Sequence, residues 1–277
     1  MDCRQKLETL RRIIANNKKL LIAFSGGVDS SLLAKISSDM LGNDALCIIL
    51  DHEAFPRSEL SQAEHLAKSL GLNYRIVKFS LLDEDKISRN SKQRCYFCKK
   101  ASAKVLKKLA LDEDIVCVAD GANLSDCNDY RPGLKACDEM GIWHPFVDAK
   151  ISKEDVREIS RELGLSSWDK PSSACLATRI PYYEGLNKEK LRMVEAAEDY
   201  LKGLGLSQVR VRNHCRLARI EVMPEEMEKA LAHRKEIGME LKRLGFEYVS
   251  IDLEGFRSGS MNEVLWTSEQ LEKTSRS

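Results

Sequence analysis

The chain of 277 residues contains no apolar run long enough to cross a bilayer, and Met1-Asp2-Cys3-Arg4-Gln5 opens no secretory leader. Both absences point to a cytoplasmic protein. An excess of either charge is also missing: 44 Lys and Arg stand against 43 Asp and Glu, a formal net charge of +1. No global field draws the chain to nucleic acid or to an anionic membrane, no long basic run replaces one, and such partners would need a local patch. Repeats and low-complexity stretches are absent too, and 277 residues suffice for two domains.

What is present begins with alternation. Short apolar runs (20–24, 45–51, 73–79 and 115–119) are separated by helical patterns over 30–40, 57–70 and 92–109, after an opening amphipathic helix over 4–16. This order predicts an α/β fold, a parallel sheet with crossover helices on both faces. A later helix over 153–163 has Ser152 as its cap and stops at Gly164. Residues 166–183 break the periodicity with Pro171 and Pro181, which sets the domain boundary near Pro181: a first domain over 1–180 and a smaller α+β domain over 181–277. The second carries a helix over 188–204, strands over 208–213 and 217–223, helical stretches over 225–244 and a last strand over 246–253.

Directly after the first apolar run stands Ser25-Gly26-Gly27-Val28-Asp29-Ser30. Adjacent glycines let backbone N–H groups approach an anion, and the helix that follows points its positive end into the loop. The Lys-Ser/Thr pair of a P-loop and the third glycine of a dinucleotide fingerprint are both missing. The stretch resembles instead the Ser-Gly-Gly-x-Asp-Ser signature of the PP-loop (adenine nucleotide alpha hydrolase-like) ATP pyrophosphatases. That resemblance implies cleavage of ATP between its α- and β-phosphates, with Ser25, Gly26, Gly27, Asp29 and Ser30 in the nucleotide site. Asp51 and Asp120-Gly121 follow strand ends, at the sheet edge where open α/β folds bind ligands, so Gly121 joins the ATP site. The loop 121–133, with Asn123, Asp126, Asp129, Tyr130 and Arg131, could contact ribose or adenine, hold Mg²⁺, or form a plain polar turn.

Nine cysteines are many for a cytosolic chain, where clustered thiols mean metal or catalysis more often than disulfides. Cys47 and Cys117 lie in apolar runs and read as small core hydrophobes. Cys3, Cys127, Cys137 and Cys215 have no recognisable spacing. Cys95 and Cys98 are separated by two residues, so both thiolates can reach one metal, and Cys175 lies in an irregular segment that a fold could return to them. None of the five histidines is near these cysteines in sequence. Three readings follow: a 4Fe-4S cluster with one open iron, a zinc ion needing a fourth ligand, or a redox dithiol beside Arg94 and Lys99. In the second domain Arg210 and Arg212 alternate along a strand and share a face, which suits a phosphate or carboxylate, with Glu221 as an alternative partner. Arg257 sits among Gly and Ser residues of the kind found around an anion.

Taken together, 25–30, 94–99, 129–133, 171–181, 210–212, 218–222 and 255–262 make the chain similar to the LarE family of sulfur transferases. The resemblance implies that ATP adenylates a carboxylate of a pyridinium dicarboxylate mononucleotide, after which sulfur displaces AMP to give a thiocarboxylate for a nickel-pincer cofactor. It implies Mg²⁺ organised by Asp29, and the mononucleotide phosphate held by Arg210, Arg212 and Arg257. Cys175 takes the place of the family's sulfur-bearing cysteine. With Cys95 and Cys98 also present, the chain resembles the three-cysteine branch, in which Cys95, Cys98 and Cys175 bind a 4Fe-4S cluster whose open iron carries hydrosulfide. A separate sulfide donor and a homo-oligomer are implied as well. The neighbouring expectations are an iron–sulfur tRNA thiolation enzyme, which the balanced charge disfavours, and an ammonia-using synthetase, which leaves the cysteines without a role. A third is a nucleotide-binding module without catalysis, against which the intact Asp29 and Ser30 speak.

Overall fold

The computed structural model describes residues 2–128, 132–171 and 173–257. The expectations placed on Asp129, Tyr130 and Arg131, and on 258–262, lie outside the described residues. The chain forms two compact units: the first is Met1–Ile87 with Lys92–Ala174, and the second is Ser88–Ser91 with the chain from Cys175 onward.

The first unit opens with α1 (Cys3–Ala15), held by an Asp2–Gln5 capping box that satisfies two end N–H groups. There follow β1 (Leu20–Ala23), α2 (Val28–Leu41), β2 (Ala45–Asp51), α3 (Arg57–Ser69), β3 (Asn73–Lys78), the single turn α4 (Asp85–Ser88) and α5 (Arg94–Asp112). The unit then continues through β4 (Cys117–Ala119), α6 (Pro132–Glu139), the single turn α7 (Pro145–Asp148) and α8 (Lys153–Glu162). The strands form one parallel sheet in the order β3-β2-β1-β4. Their alternation sorts the core onto two faces. Leu20, Ile22, Cys47 and Ile49 pack with the buried faces of α1, α2, α3 and α8. Leu21, Leu46, Ile48 and Val118 pack with Ala103, Leu106 and Ala110 of α5 and with Cys137 of α6. Side chains pointing alternately up and down a strand require cover on both sides, and the crossover helices supply it.

β4 starts later than the apolar run 115–119 predicts. Asp114 takes a positive φ of 53° and the Ile115 N–H donates to the Ala110 carbonyl at 2.8 Å, so Ile115 belongs to the stop of α5. Ser152 caps α8 as expected, in a capping box with Asp155.

The second unit contains α9 (Lys188–Gly203), then β5 (Val209–His214) antiparallel to β6 (Leu217–Val222), which runs parallel to β7 (Tyr248–Ile251). Between β6 and β7 lie α10 (Met227–Ala232) and α11 (Arg234–Arg243), so the helical stretch over 225–244 breaks at His233. The chain enters this unit at Cys175, before Pro181. The 3₁₀ turn Leu176–Arg179 is bound to it by a buried ion pair from Arg179 to Glu198 of α9. Ser88–Ser91 joins the same unit because Asn90 Nδ2 donates to the carbonyls of Ile180 and Pro181, at 3.2 and 2.7 Å.

Candidate functional site

The first unit contains a cleft of about 590 Å³ at the carboxyl edge of its sheet, lined by Ser25, Gly27, Asp29, Ser30, Cys95, Lys99, Asp120 and Gly121 among others. That volume falls within the range of small-ligand pockets. β1 delivers the chain into the loop, and Gly26 turns it with φ +69° where a Cβ would lie 2.7 Å from the Ala63 Cα. Only glycine satisfies both conditions. Gly27 is the N-cap of α2 and offers no side chain to its end N–H groups, which leaves them for an anion. Ser30 Oγ ties the loop internally: it accepts from the Ser25 N–H at 3.2 Å and donates to the Gly27 carbonyl at 3.2 Å.

Gly121 closes the loop from the β4 side. A Cβ there would stand 2.9 Å from the Ser30 nitrogen and 3.0 Å from Asp29 Cβ, so the close approach of the two segments depends on glycine. Asp29 projects from the first turn of α2; its Oδ1 accepts from Asn123 Nδ2 at 3.0 Å and its Oδ2 pairs with Lys153 Nζ. Lys170 Nζ lies 2.8 Å from Glu59 Oε2 and 3.4 Å from the Gly26 carbonyl, fastening the loop from outside. Among the described residues no three His, Cys, Asp or Glu converge into a metal-binding group. A nucleotide-borne Mg²⁺ needs one or two carboxylates together with phosphates, and Asp29 beside the loop meets that requirement.

Behind the loop, Asp120 accepts from His144 Nδ1 at 2.6 Å and from the Ala122 N–H at 3.0 Å. Burial works against the Asp120 carboxylate, yet the His144 hydrogen bond and the Lys99 charge hold its pKa below the ordinary value. His144 shows the reverse: burial opposes its charge, but the bond to Asp120 prevails and raises its pKa. Lys99 lines the cleft, where the Asp120 charge and the thiols of Cys137, Cys98 and Cys95 raise its pKa. Its stem crosses Gly133, where a Cβ would meet Lys99 Cγ at 2.9 Å.

Cys95 and Cys98 lie about one turn apart at the start of α5; Cys95 is exposed and lines the cleft, and Cys98 is half-buried. The two thiols, one turn apart, fit a shared metal or cluster as two of its ligands. Cys137 also lines the cleft but is buried, and its thiol is pushed up to about 12, chiefly by burial. Cys47 is pushed up to about 12 for the same reason, in keeping with a core position.

In the second unit Cys175 precedes the 3₁₀ turn. Its carbonyl accepts from the Thr178 N–H at 3.0 Å, Thr178 Oγ1 at 2.7 Å and Arg179 Nη1 at 3.2 Å. Arg179 is itself bidentate to Glu198, with both side chains buried. Arg210 and Arg212 stand on β5 as the alternation requires, but their surroundings differ. Arg212 is buried and bidentate to Glu221 at 2.9 and 2.6 Å, and donates to the Thr178 carbonyl at 3.0 Å. Arg210 stacks on Phe256 with 5.2 Å to the ring centre and makes no ion pair with a described residue. Burial and the nearby Arg179 lower its pKa, so an added anion is favoured there. Arg257 is shared between Asp252 and Glu254.

The loop, Gly121, Asn123, Asp126 and the cysteines stand out in the sequence by motif, spacing or place after a strand. His144, Lys153, Lys170 and Glu198 do not, because they enter through distant pairings without a local motif. Cys137 has no recognisable spacing to another cysteine in the sequence.

A parallel sheet whose first strand runs through Ser-Gly-Gly-x-Asp-Ser into a helix, with a glycine backbone closing on it, defines the PP-loop class of ATP-using α/β enzymes. Residues 4–103 match the NAD synthase family, whose domain belongs to that class. The chain is 38% identical over 96% of its length, and 96% of the relative's, to the pyridinium-3,5-bisthiocarboxylic acid mononucleotide synthase of Lactiplantibacillus plantarum. It is 42% identical to an uncharacterized protein of Synechocystis sp., over 94% of this chain and 98% of the other. An uncharacterized protein of Methanocaldococcus jannaschii is 36% identical over 87% and 92% of the two chains. The chain belongs to the LarE family of ATP-dependent sulfur transferases.

Proposed function

We propose that the protein uses ATP to adenylate a carboxylate of a pyridinium dicarboxylate mononucleotide and then replaces AMP with sulfur, giving a thiocarboxylate for a nickel-pincer cofactor. A carboxylate is a poor electrophile. Its oxygen attacks the α-phosphorus of ATP, the bond to the β-phosphate oxygen breaks and pyrophosphate leaves; a sulfur nucleophile then forms a C–S bond as the C–O bond to AMP breaks. The observation that carries this reading is that Cys95 lines the same cleft as Ser25, Gly27, Asp29 and Ser30, so activation and sulfur chemistry share one space.

The loop N–H groups and Ser25, Gly26, Gly27 and Ser30 hold the phosphates, with Gly121 closing behind them, and Asp29 receives the Mg²⁺ that neutralises the departing pyrophosphate. Arg210 takes the mononucleotide phosphate directly. Arg212, fixed by Glu221, and Arg257 add charge around it. Cys95, Cys98 and Cys175 are assigned as ligands of a 4Fe-4S cluster; Cys175 is thereby a ligand and not a sacrificial donor. When bound, such a cluster supplies a place where sulfide from a separate donor is held for transfer. The reading also includes a cytoplasmic homo-oligomer.

Pyrophosphate release tests it. Release should require the mononucleotide, and Asp29→Asn should lower the rate by roughly a hundred-fold or more, the scale of losing a transition-state electrostatic partner. Release that is independent of any pyridinium carboxylate would overturn the reading.

A further inference from the structure

A closed ring of hydrogen bonds encloses the Asp29 carboxylate. Asn123, 1% exposed, donates to Oδ1 from Nδ2 at 3.0 Å, while its own Oδ1 accepts from the Ser125 N–H at 3.0 Å. Ser125 Oγ accepts from the Lys153 N–H at 3.1 Å, and Lys153 Nζ returns to Asp29 Oδ2. The loop after β4 and the start of α8 are joined besides by the Leu124 N–H on the Ile151 carbonyl at 2.9 Å. One rigid assembly therefore presents both a neutral donor and a cation to a single carboxylate. Lys153 is only partly covered, with 39% of its side chain exposed, so its ammonium can turn toward the cleft while its backbone stays fixed.

We propose that Lys153 is a positioning residue that stands in for the divalent cation at Asp29, so that Asp29 accepts a metal ion only together with the nucleotide. The inference rests on Asp29 as the metal-organising residue of the proposed adenylation. An ammonium and a divalent ion on one carboxylate repel each other, so a metal arriving alone must displace Lys153 without giving it a new partner. A metal arriving on a triphosphate brings that partner: the ammonium moves from Asp29 Oδ2 to a phosphate oxygen as the metal takes its place. Asn123 stays throughout, because each carboxylate oxygen has two acceptor sites and the amide uses one. The carboxylate keeps its orientation during the exchange.

The test is a titration with Mn²⁺, read by electron paramagnetic resonance without nucleotide. Lys153→Gln should bind Mn²⁺ roughly ten-fold more tightly than the natural protein, and Lys153→Arg, which keeps the charge, should not. With a non-hydrolysable ATP analogue the advantage of Lys153→Gln should vanish. A Lys153→Gln protein that binds Mn²⁺ alone no more tightly than the natural one, as an ion pair serving stability only would give, overturns the proposal. Persistence of the tight site in Asp29→Asn/Lys153→Gln overturns it too. Lys153→Met removes the same charge should the glutamine variant fail to fold. Because the titration involves neither sulfur nor the mononucleotide, its failure is distinguishable from failure of the sulfur-transfer reading.

Discussion

Gly121 and Gly26 are constrained by different neighbours, and alanine should expose the difference. Gly121→Ala places a methyl 2.9 Å from the Ser30 nitrogen, and overpacking of this kind costs about 1–3 kcal/mol. The strain falls on the start of α2, so calorimetry should show ATP affinity reduced about ten-fold or more, beyond the loss in melting temperature. Gly26→Ala meets the backbone of α3 as well as an unfavourable φ, and should chiefly destabilise the first unit. The His144–Asp120 pair gives a pH prediction. The folded state binds the His144 proton more tightly than the unfolded chain, so its stabilisation is complete below pH 6.5 and is lost as pH rises through the raised folded value. Asp120 contributes fully above pH 3.8 and loses its contribution as pH falls through its lowered folded value. His144→Gln should therefore lower the melting temperature strongly near pH 6 and much less at high pH; a deficit independent of pH would count against the pairing. The glycines and Asp29 were legible in the sequence because a phosphate loop compresses its chemistry into consecutive residues. His144 and Lys153 were not, since each acts through an ion pair set by the fold.

At the scale of elements, the short turn after Cys175 depends on Arg179. Its bidentate pair with Glu198 is buried, and removing one partner of such a pair costs about 3–5 kcal/mol by leaving a charge without compensation. Glu198→Gln should accordingly lower the stability of the second unit by that order in denaturant titration. Glu198 also accepts the Val211 N–H at 3.0 Å, so the same variant should loosen β5 and slow thiol-directed reactions that need Cys175 held in place. Strand and helix periods made most elements readable: β2 spans the same residues as the apolar run over 45–51, and α9 and β6 lie within the predicted ranges. The ends were less readable, because they are set by bonds such as Ile115 to Ala110 that sequence pattern does not carry. The junction between units fell at Cys175 and not at Pro181 for a related reason. Proline marks a change of local conformation, whereas the buried Arg179–Glu198 contact decides which unit holds the turn.

Across the whole molecule, the first unit holds the cleft lined by Ser25, Asp29 and Cys95, and the second holds Cys175 and Arg210, which makes no ion pair with a described residue. Arg210→Ala should raise the KM for the mononucleotide by roughly ten- to a hundred-fold, the worth of a charge-assisted contact, and leave ATP binding nearly unchanged. Equal losses for both substrates would place the arginine elsewhere. Most direct is the mass of the protein after repeated turnover, measured on anaerobically purified protein supplied with iron, sulfide, ATP and the mononucleotide. Thiocarboxylate should form in excess of protein, with AMP formed in step with it and Cys175 unchanged. Product that stops at one sulfur per protein, with Cys175 short of its own sulfur, would contradict it.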